Sequence, residues 1–304
     1  MIKIENLVKS YGGHKVLMGV NAEVKEGEVY GFIGHNGAGK STTMNILAGL
    51  IGFEKGKCII NGRDIQSRNN RTSNDIGYLP EDPKFYPYMN GFEYLSFIGV
   101  MKGYSKKQIG DKTEELLDMV KLTKAAKRAI GAYSRGMRQR LGIAVAMYND
   151  PKLLLLDEPS SALDPEGRMD VVDIISKLRS QGKTIFLSTH ILNDIERVCD
   201  RVGILNNGQI VLEENINQLM KRYIQPVYDI EFDGAVNEEH IKMLKKADYI
   251  EKLNFDGRKG DIWLKDFEQN STKLLKLISD MNIPVISINL RKNSLEEIFL
   301  KVVK

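Results

Sequence analysis

Cysteine and long apolar runs are both scarce in this sequence. The two cysteines, Cys58 and Cys199, fit no metal-ligand spacing, and as free thiols they suit a reducing cytosol. No apolar run approaches the roughly 18 residues that a membrane-spanning helix requires. The start "MIKIENLVKS" also lacks the apolar core of a signal peptide. If the protein acts on a membrane, we therefore expect another chain to supply the membrane-spanning part.

Neither sign of charge dominates the composition. The net charge is +4 over 304 residues, which favours neither a nucleic acid nor a membrane surface as a partner. Hydrophobic residues make up 42% and charged residues 28%, as in ordinary globular proteins with buried cores. The length suffices for two domains of roughly 100–200 residues each. Internal repeats and low-complexity tracts are also missing, so each chemical motif occurs once.

The first two thirds of the chain combine short strands with a helical stretch. "EVYGFI" predicts a strand that runs directly into the glycine-rich segment 34–42, and "STTMNILAGL" predicts the helix that follows. The pattern is helical from about 88 to 149. "LLLLD" (153–157) and "TIFLST" (184–189) are continuous apolar runs, which are typical of strands buried on both faces of a parallel sheet.

The composition changes after Tyr223. The patterns that follow have the order strand–helix–strand–strand–helix–strand, which is the split ferredoxin-like unit. A closing helix, "SLEEIFLKVV", begins with Ser294 and has Glu297 three residues later, which is a capping-box pattern. We therefore predict two domains: residues 1–223, with a helical subdomain at about 88–149, and an α+β accessory domain at 224–304.

The segment "GHNGAGKST" fits the phosphate-loop pattern G-x-x-x-x-G-K-[ST]. In such a loop the backbone amides converge on the phosphates, Lys40 meets the β- and γ-oxygens, and the Ser41 hydroxyl faces Mg²⁺. The preceding strand and the following helix are the context that the motif requires. The predicted nucleotide-binding residues of the loop are Gly34, His35, Asn36, Gly37, Ala38, Gly39, Lys40, Ser41 and Thr42.

"LLLLDEP" places two carboxylates at the end of a predicted buried strand. An aspartate in this position holds magnesium in P-loop enzymes, which is the role expected of Asp157. Glu158 is placed to orient or deprotonate the attacking water. Two ordinary carboxylates at a strand end would be the simpler interpretation in isolation. Beside a phosphate loop, the catalytic interpretation is favoured.

A second candidate anion site lies far along the chain, in "GAYSRGMRQR" (131–140). Ser134 can cap the first amide groups of a helix, and Gly136 allows a ligand to approach the backbone. Three arginines, including Arg135, add positive charge to the same segment. A chain with one phosphate loop thus carries a second phosphate-binding pattern.

The order of these motifs over residues 1–220 resembles one family closely, the ATP-binding-cassette (ABC) ATPase subunits. The resemblance implies an α/β P-loop NTPase fold with a mixed core sheet, an antiparallel β subdomain and a helical subdomain. It also implies ATP and Mg²⁺ as ligands, and ATP hydrolysis coupled to transport as the activity. Tyr11 resembles the aromatic residue that stacks on adenine. His190, in "LSTHIL", resembles the switch histidine that senses the γ-phosphate.

The resemblance also explains the second phosphate pattern. "YSRGM" resembles the family signature, usually Leu-Ser-Gly-Gly-Gln, and "SALD" resembles the loop that crosses the dimer seam. Two ATPase domains of this family pack head to tail, so that each nucleotide lies between one phosphate loop and the other chain's signature. The residues implied to contact the partner's nucleotide are Ser134, Arg135, Gly136 and Asp164. The chain is therefore expected to form a homodimer or a heterodimer.

Two departures from the family pattern point to one branch of it. Where most members have glutamine, this chain has Glu81 in "YLPED"; its carboxylate can bind magnesium but adds a negative charge near the γ-phosphate. The signature has Tyr133, Arg135 and Met137 in place of leucine, glycine and glutamine. Both variants resemble the branch of daunorubicin-, bacitracin- and sodium-type exporters, which commonly ends in "SLEEIFL"-like sequence.

The leading interpretation is an ATP-hydrolysing exporter subunit that works through a separate transmembrane permease. The segment from Glu81 to Phe97 would contact that permease, and the chain would lie peripherally on the cytoplasmic face of the membrane. The alternative is a soluble ABC ATPase acting on ribosomes or DNA. The chain has one cassette, no heptads and no cysteine pairs, which disfavours it. A binding module without turnover would have lost Lys40 or Glu158, and both are present.

Overall fold

The computed structural model describes residues 1–67, 75–223, 226–291 and 294–303. The chain divides into two compact units, one of Met1–Asn217 with Phe299–Lys304, and one of Gln218–Ile298. The sequence places the boundary at 223/224, and residue 224 lies outside the described residues. The compact units also differ from that prediction in grouping the last residues of the chain with the first unit. A functional division at Tyr223 stays a prediction.

The secondary structure follows the predicted alternation closely. The strands are β1 (Ile2–Tyr11), β2 (His14–Val24), β3 (Val29–Gly34), β4 (Lys55–Ile60), β5 (Arg63–Asp64), β6 (Ile76–Leu79), β7 (Leu153–Asp157), β8 (Thr184–Thr189), β9 (Arg201–Asn206), β10 (Gln209–Asn215), β11 (Val227–Phe232), β12 (Ile250–Asp256), β13 (Lys259–Leu264) and β14 (Val285–Leu290). The helices are α1 (Lys40–Leu47), α2 (Gly91–Met101), α3 (Lys106–Met119), α4 (Arg135–Ala146), α5 (Pro165–Ser180), α6 (Leu192–Val198), α7 (Ile216–Arg222), α8 (Glu238–Lys245), α9 (Phe267–Asp280) and α10 (Leu295–Val303).

A six-stranded sheet in the order β10-β9-β3-β8-β7-β6 forms the centre of the first unit. Strands β9, β3, β8, β7 and β6 run parallel, and β10 pairs antiparallel with β9. Every residue of β3, β7 and β8 is buried, which explains their continuous apolar runs. Because parallel strands end at the same edge, the segments after β3, β6, β7 and β8 meet there. Ligands of open α/β sheets bind at such an edge.

An antiparallel sheet in the order β2-β1-β4-β5 accompanies the central sheet. Strands β4 and β5 are joined at Asn61-Gly62, and both residues have positive φ, 52° and 76°. This is the tight hairpin that the Asn-Gly pair predicts. Apolar side chains of both sheets share one core, which includes Leu7, Val20 and Phe186. The strand ending at Tyr11 is thereby fixed at the edge of the first unit's core.

Helices α2, α3 and α4 lie in the stretch that the sequence predicts to be helical. Asn90 and Glu93 form a capping box at the start of α2, and Ser105 and Gln108 form another at the start of α3. Helix α3 buries Ile109 and other residues along one face, as its amphipathic pattern predicts.

The second unit contains an antiparallel sheet in the order β12-β13-β11-β14. With α8 after β11 and α9 after β13, its connectivity is that of the predicted ferredoxin-like unit. Buried residues of the sheet and of both helices form its core, among them Phe232, Leu244 and Leu274. Across the part of the chain that the structure describes, no helix has both the length and the apolar character to cross a bilayer.

Candidate functional site

The predicted phosphate loop joins the end of β3 to the start of α1. Gly39 precedes α1 with a φ of 110°, a conformation open to glycine, and a Cβ there would lie 2.6 Å from Leu17 Cδ2. No side chain caps this helix start. Its first backbone N–H groups are therefore available to an anion, and the helix dipole adds positive potential there.

A cleft of about 410 Å³ opens beside the loop. It gathers most of the residues that the sequence and the resemblance predict for one nucleotide site. Its lining consists of Tyr11, Val16, Asn36, Gly37, Gly39, Lys40, Ser41, Thr42, Glu81, Glu158, Ser161 and His190. Gly34, His35 and Ala38 complete the loop behind this lining, and Asp157 contacts Ser41. The volume and the donors suit a phosphorylated ligand.

Lys40 is buried and held by three oxygen atoms. Its Nζ donates to the Gly34 carbonyl at 2.8 Å and to the His35 carbonyl at 3.3 Å. It also pairs with Glu158 Oε1 at 3.2 Å, and both side chains are only 5–6% exposed. A buried ammonium group requires such partners because an unpaired charge is costly to desolvate. In this arrangement Lys40 lines the cleft at the phosphate loop.

Asp157 ends β7 and connects two hydroxyl groups. Ser41 Oγ donates to its Oδ1 at 3.2 Å, and Ser188 Oγ donates to the same oxygen at 2.5 Å. Burial raises the pKa of the Asp157 carboxyl, while the two serine hydrogen bonds lower it and the charges of Glu158 and Glu81 raise it further. A cation beside this group would offset the cost of its buried negative charge.

This donor set fits magnesium. Mg²⁺ in nucleotide enzymes is held by one or two carboxylates, a hydroxyl group and phosphate oxygens. Asp157, Ser41 and Glu81 would supply the protein share of that set. Among the described residues there is no group of three His, Cys, Asp or Glu side chains able to hold a metal alone. A metal that depends on phosphate oxygens for its remaining ligands needs no such group.

Glu158, the residue directly after Asp157, has an unusual backbone conformation. Its φ is 48°, a left-handed value that is rare outside glycine and that marks stored strain at functional sites. Its N–H donates to Ser188 O at 3.0 Å, which fixes the turn. Its carboxylate lies between Lys40 and His190, whose Nδ1 is 2.8 Å from Oε2. The structure therefore brings the two predicted catalytic side chains into direct contact.

Tyr11 lies at the cleft with its side chain 48% exposed. The Lys9 ammonium group lies 5.1 Å from the centre of its ring. An exposed aromatic face at a nucleotide cleft is suited to stacking on a base. The adenine-stacking role of Tyr11 stays a prediction.

The signature segment lies at the start of another helix. Ser134 caps α4 by accepting from the Met137 N–H at 3.2 Å, and Asp164 caps α5 by accepting from the Gly167 N–H at 3.3 Å. The two helix starts lie side by side at Gly136 and Gly167. None of the predicted partner-contacting residues is among the residues that line the chain's own cleft: Ser134, Arg135, Gly136 and Asp164.

Several side chains that support the site were not predicted from the sequence. Ser188 connects Asp157 to the Glu158 backbone, and only its place two residues before His190 hinted at a role. Buried Asp194 accepts from Ser160 Oγ at 2.6 Å and from Arg168 Nε at 2.7 Å. This network joins the segment after Glu158 to helix α6. No local pattern connects these three positions, so the sequence carried no signal for them.

Asp194→Ala is expected to lower the free energy of unfolding by about 2–3 kcal/mol, because it leaves Ser160 and Arg168 without their buried acceptor. Urea denaturation measures the loss. The matched control is Asp173→Ala, which removes an exposed ion pair with Lys121 and should cost about 0.5 kcal/mol. Equal losses in the two variants would contradict a structural role for the Asp194 network.

Near the phosphate loop, the ring of Phe299 meets the ring of His35 edge-on, with 4.9 Å between centroids. Phe299 is 7% exposed and belongs to the same compact unit as the loop. The sequence places "SLEEIFL" in the predicted accessory domain, 224–304, and contains no signal for this contact.

The fold and the site together define a P-loop nucleotide hydrolase: a parallel sheet with a phosphate loop, a buried lysine and two carboxylates at its carboxyl edge. Residues 17–161 match the family model described as "ABC transporter", and residues 215–303 match "ATP-binding protein DrrA1-3-like, C-terminal domain". The chain belongs to the ATP-binding proteins of ABC transporters. It therefore binds ATP with Mg²⁺ and hydrolyses ATP.

The similarity extends along the whole chain. It is 37% identical to the ABC transporter ATP-binding protein YxlF of Bacillus subtilis (strain 168), over 100% of this chain and 99% of that protein. It is 33% identical to the bacitracin transport ATP-binding protein BcrA of Enterococcus faecalis, over 100% and 96%. The dimeric cassette MJ0796, solved in a post-hydrolysis state with ADP and Pi, is 28% identical with a TM-score of 0.66, over 71% of this chain and 99% of that one. The predicted family, fold class and ATPase activity are therefore confirmed.

Proposed function

We propose that this chain is the ATPase subunit of an exporter and drives transport through a separate transmembrane permease by ATP-dependent dimerisation. The supporting relatives are transport proteins: BcrA is a bacitracin transport ATP-binding protein. The cassette MJ0796 is a dimer in its solved structure. The class of substrate that this comparison favours is a peptide antibiotic of the bacitracin kind. The alternative of an ATPase acting on ribosomes or DNA has no support from these relatives.

The observation that best supports dimerisation is that the two phosphate-binding segments lie apart from each other. Lys40, Glu158 and His190 meet in one cleft, whereas Ser134 and Arg135 are exposed and lie outside its lining. A helix start with a serine cap and an arginine is suited to an anion, yet the chain's own nucleotide occupies the other site. A second ATPase subunit, identical or different, would bring its nucleotide to the signature.

The chemistry of the cleft assigns a role to each side chain. The loop amides and Lys40 would hold phosphate oxygens, and Ser41, Asp157 and Glu81 would hold Mg²⁺, which supplies positive charge at the phosphates. Glu158 would orient or deprotonate the attacking water, and its contact with His190 at 2.8 Å keeps its carboxylate in place. All of these groups except Asp157 line the cleft itself.

An exposed aromatic patch supports the contact with a permease. It follows Glu81 in sequence and consists of the exposed Tyr86, Tyr88 and Phe97, which pack with the half-buried Phe85 and Tyr94. Tyr88 is 77% exposed and Phe97 41%. Clustered exposed aromatic side chains mark protein interfaces, because each buries a large area at low entropic cost. We infer that the permease docks on this patch and holds the chain at the cytoplasmic face of the membrane.

Phe97→Asp tests this proposal. Expressed together with the membrane protein of the adjacent reading frame, the wild-type chain is expected in washed membranes. The Phe97→Asp chain should lose about tenfold or more of that recovery, because a charge in a buried interface core is costly. Immunoblotting of membrane and supernatant fractions gives the ratio.

The matched control is Leu275→Asp, which adds the same charge at a leucine of α9 that is 46% exposed. Thermal melting of both variants excludes misfolding. The proposal fails if Phe97→Asp stays with the membranes as wild type does, or if Leu275→Asp is lost equally. Membrane recovery of the wild-type chain without any permease would also contradict it.

A further inference from the structure

The end of α10 contacts the phosphate loop at one point and β9 at another. Phe299 is 7% exposed, and its ring meets the ring of His35 at an angle of 67°, with 4.9 Å between centroids. Val303 lies four residues further along the same face of the helix. Its carbonyl accepts from Asn206 Nδ2, at the end of β9, at 3.4 Å. All four residues belong to the first compact unit.

The two contacted segments lie side by side in the central sheet. Strand β3 pairs parallel with β9, and Gly34 lies opposite Leu205. A Cβ on Gly34 would lie 2.5 Å from the Leu205 carbonyl oxygen, so the two backbones approach closely. His35 and Asn206 each come one residue later in sequence. The end of α10 therefore contacts both segments at the point where their strands end.

The backbone of His35 helps to hold the lysine of the phosphate loop. Its carbonyl accepts from Lys40 Nζ at 3.3 Å and from the Ala38 N–H at 3.1 Å. The first bond fixes the ammonium group that meets the phosphates, and the second closes the turn of the loop. A displacement of His35 would therefore move an acceptor of Lys40 together with the loop amides, and small displacements of such groups weaken ligand binding.

The ring of Phe299 is the contact that holds the side chain of His35. His35, Asn36 and Gly37 are exposed, and among the described residues the ring of His35 makes no hydrogen bond. Gly37 and Gly39 have positive φ values of 82° and 110°, and glycine itself restricts the backbone little. A buried aromatic ring in edge-on contact thus restrains an exposed, glycine-rich segment.

We propose that Phe299 is a positioning residue of the nucleotide site. Its ring fixes His35, the His35 carbonyl fixes the ammonium group of Lys40, and the loop amides stay directed at the phosphates. The last turns of α10 thereby support phosphate binding, although every nucleotide motif lies before the accessory domain in sequence. The inference does not depend on the exporter function, because it concerns the affinity of a single chain for its own nucleotide.

Three variants of the full chain test the contact. Phe299→Ala removes the ring, and Phe299→Leu keeps an apolar side chain of intermediate size against His35. Leu300→Ala is the matched control, because Leu300 is the next residue of the same helix and is 51% exposed. Isothermal titration calorimetry with Mg·ADP measures the affinity. ADP is the probe because its binding requires neither turnover nor a second chain.

For Phe299→Ala we expect the Kd for Mg·ADP to rise about tenfold, the upper range for an aromatic pair of this geometry. Phe299→Leu should lose about threefold, because it keeps part of the contact. Leu300→Ala should stay within about twofold of wild type. Wild-type affinity of Phe299→Ala would overturn the proposal, and so would an equal loss in Leu300→Ala.

Leu178→Ala separates positioning from stability. Leu178 is buried near the end of α5, and its carbonyl accepts from the Lys183 N–H directly before β8 begins. It therefore lies at the amino edge of the parallel sheet, opposite the phosphate loop. Removing a buried side chain should lower the Tm of both variants, yet only Phe299→Ala should weaken Mg·ADP binding by the folded chain. Equal weakening by Leu178→Ala would overturn the proposal, because Phe299 would then support only the fold.

A double-mutant cycle tests whether Phe299 acts through His35. His35→Ala removes the ring and keeps the backbone carbonyl, so it should weaken Mg·ADP binding by about the same factor as Phe299→Ala. Added to His35→Ala, the Phe299→Ala change should cost less than about twofold more, because the contact is already lost. A combined loss equal to the product of the two single losses would overturn the proposed action through His35.

Discussion

Glu158→Gln should retain ATP binding and lose nearly all turnover, with a long-lived ATP-bound dimer as the product. Removing a base that acts on the attacking water costs roughly 10²–10⁴ in rate. Glutamine keeps the shape of the side chain and a hydrogen bond to His190, so the loss reports the carboxylate rather than the packing. Phosphate release under saturating ATP measures kcat, and size-exclusion chromatography with ATP measures the dimer.

The structure adds a second expectation for the same variant. Glu158 pairs with the Lys40 ammonium group at 3.2 Å, and both side chains are buried. Neutralising Glu158 removes the negative charge beside Lys40 and leaves the buried ammonium group with uncharged acceptors, so the nucleotide-free variant should unfold about 2–3 kcal/mol more easily. ATP phosphates replace the missing negative charge, so added Mg·ATP should raise its Tm more than that of wild type.

Glu166→Gln serves as the control, because Glu166 lies in the first turn of α5 and is exposed. It should keep wild-type turnover and the wild-type response of Tm to Mg·ATP. Hydrolysis by Glu158→Gln within a few-fold of wild type would remove Glu158 from the catalytic role.

Mixing two inactive variants should restore a complete site if the signature serves the partner's nucleotide. Lys40→Ala breaks the phosphate loop, and Ser134→Arg blocks the signature. Each homodimer then has two damaged sites, and the loss of one preorganised phosphate contact alone can cost roughly 10²–10³ in rate. In the heterodimer both mutations fall on one nucleotide. The other nucleotide lies between a wild-type loop and a wild-type signature.

ATP-dependent dimerisation of the mixture is therefore expected to exceed that of either variant alone, and turnover should rise with it. If hydrolysis requires two competent sites, dimers will still form while turnover stays low. Analytical ultracentrifugation and phosphate release separate these results. Thermal melts confirm that both chains are folded. If mixing restores neither dimers nor turnover, Ser134 does not act on the partner's nucleotide.

Much of the nucleotide site could be predicted because its parts are contiguous in sequence. The phosphate loop requires glycine at fixed positions beside Lys40 and Ser41, and the paired carboxylates Asp157 and Glu158 directly follow a buried strand. The continuous apolar runs predicted a parallel sheet, and its topology explains why those segments end at one edge. Residue spacing is enough to predict these parts of the site because the strand, the loop and the helix are consecutive in the sequence.

The contacts between distant segments were decided only by the tertiary structure. Asp157 meets Ser41 across 116 positions, Asp194 meets Ser160 across 34, and Gln139 meets Glu81 across 58. Each of these bonds depends on which buried faces pack together, and a single sequence contains no spacing rule for that. The same reason explains why Phe299 was assigned to the accessory domain, although its ring contacts His35.

The amino-acid sequence by itself determined the class of chemistry: it contains a phosphate loop, an aspartate predicted to hold magnesium and a neighbouring glutamate, and a ferredoxin-like unit follows them along the chain. The tertiary structure decided how those groups are held, because burial and hydrogen bonding act between segments that the chain separates. It placed Glu158 between Lys40 and His190, and it placed the exposed signature outside the cleft that binds the chain's own nucleotide.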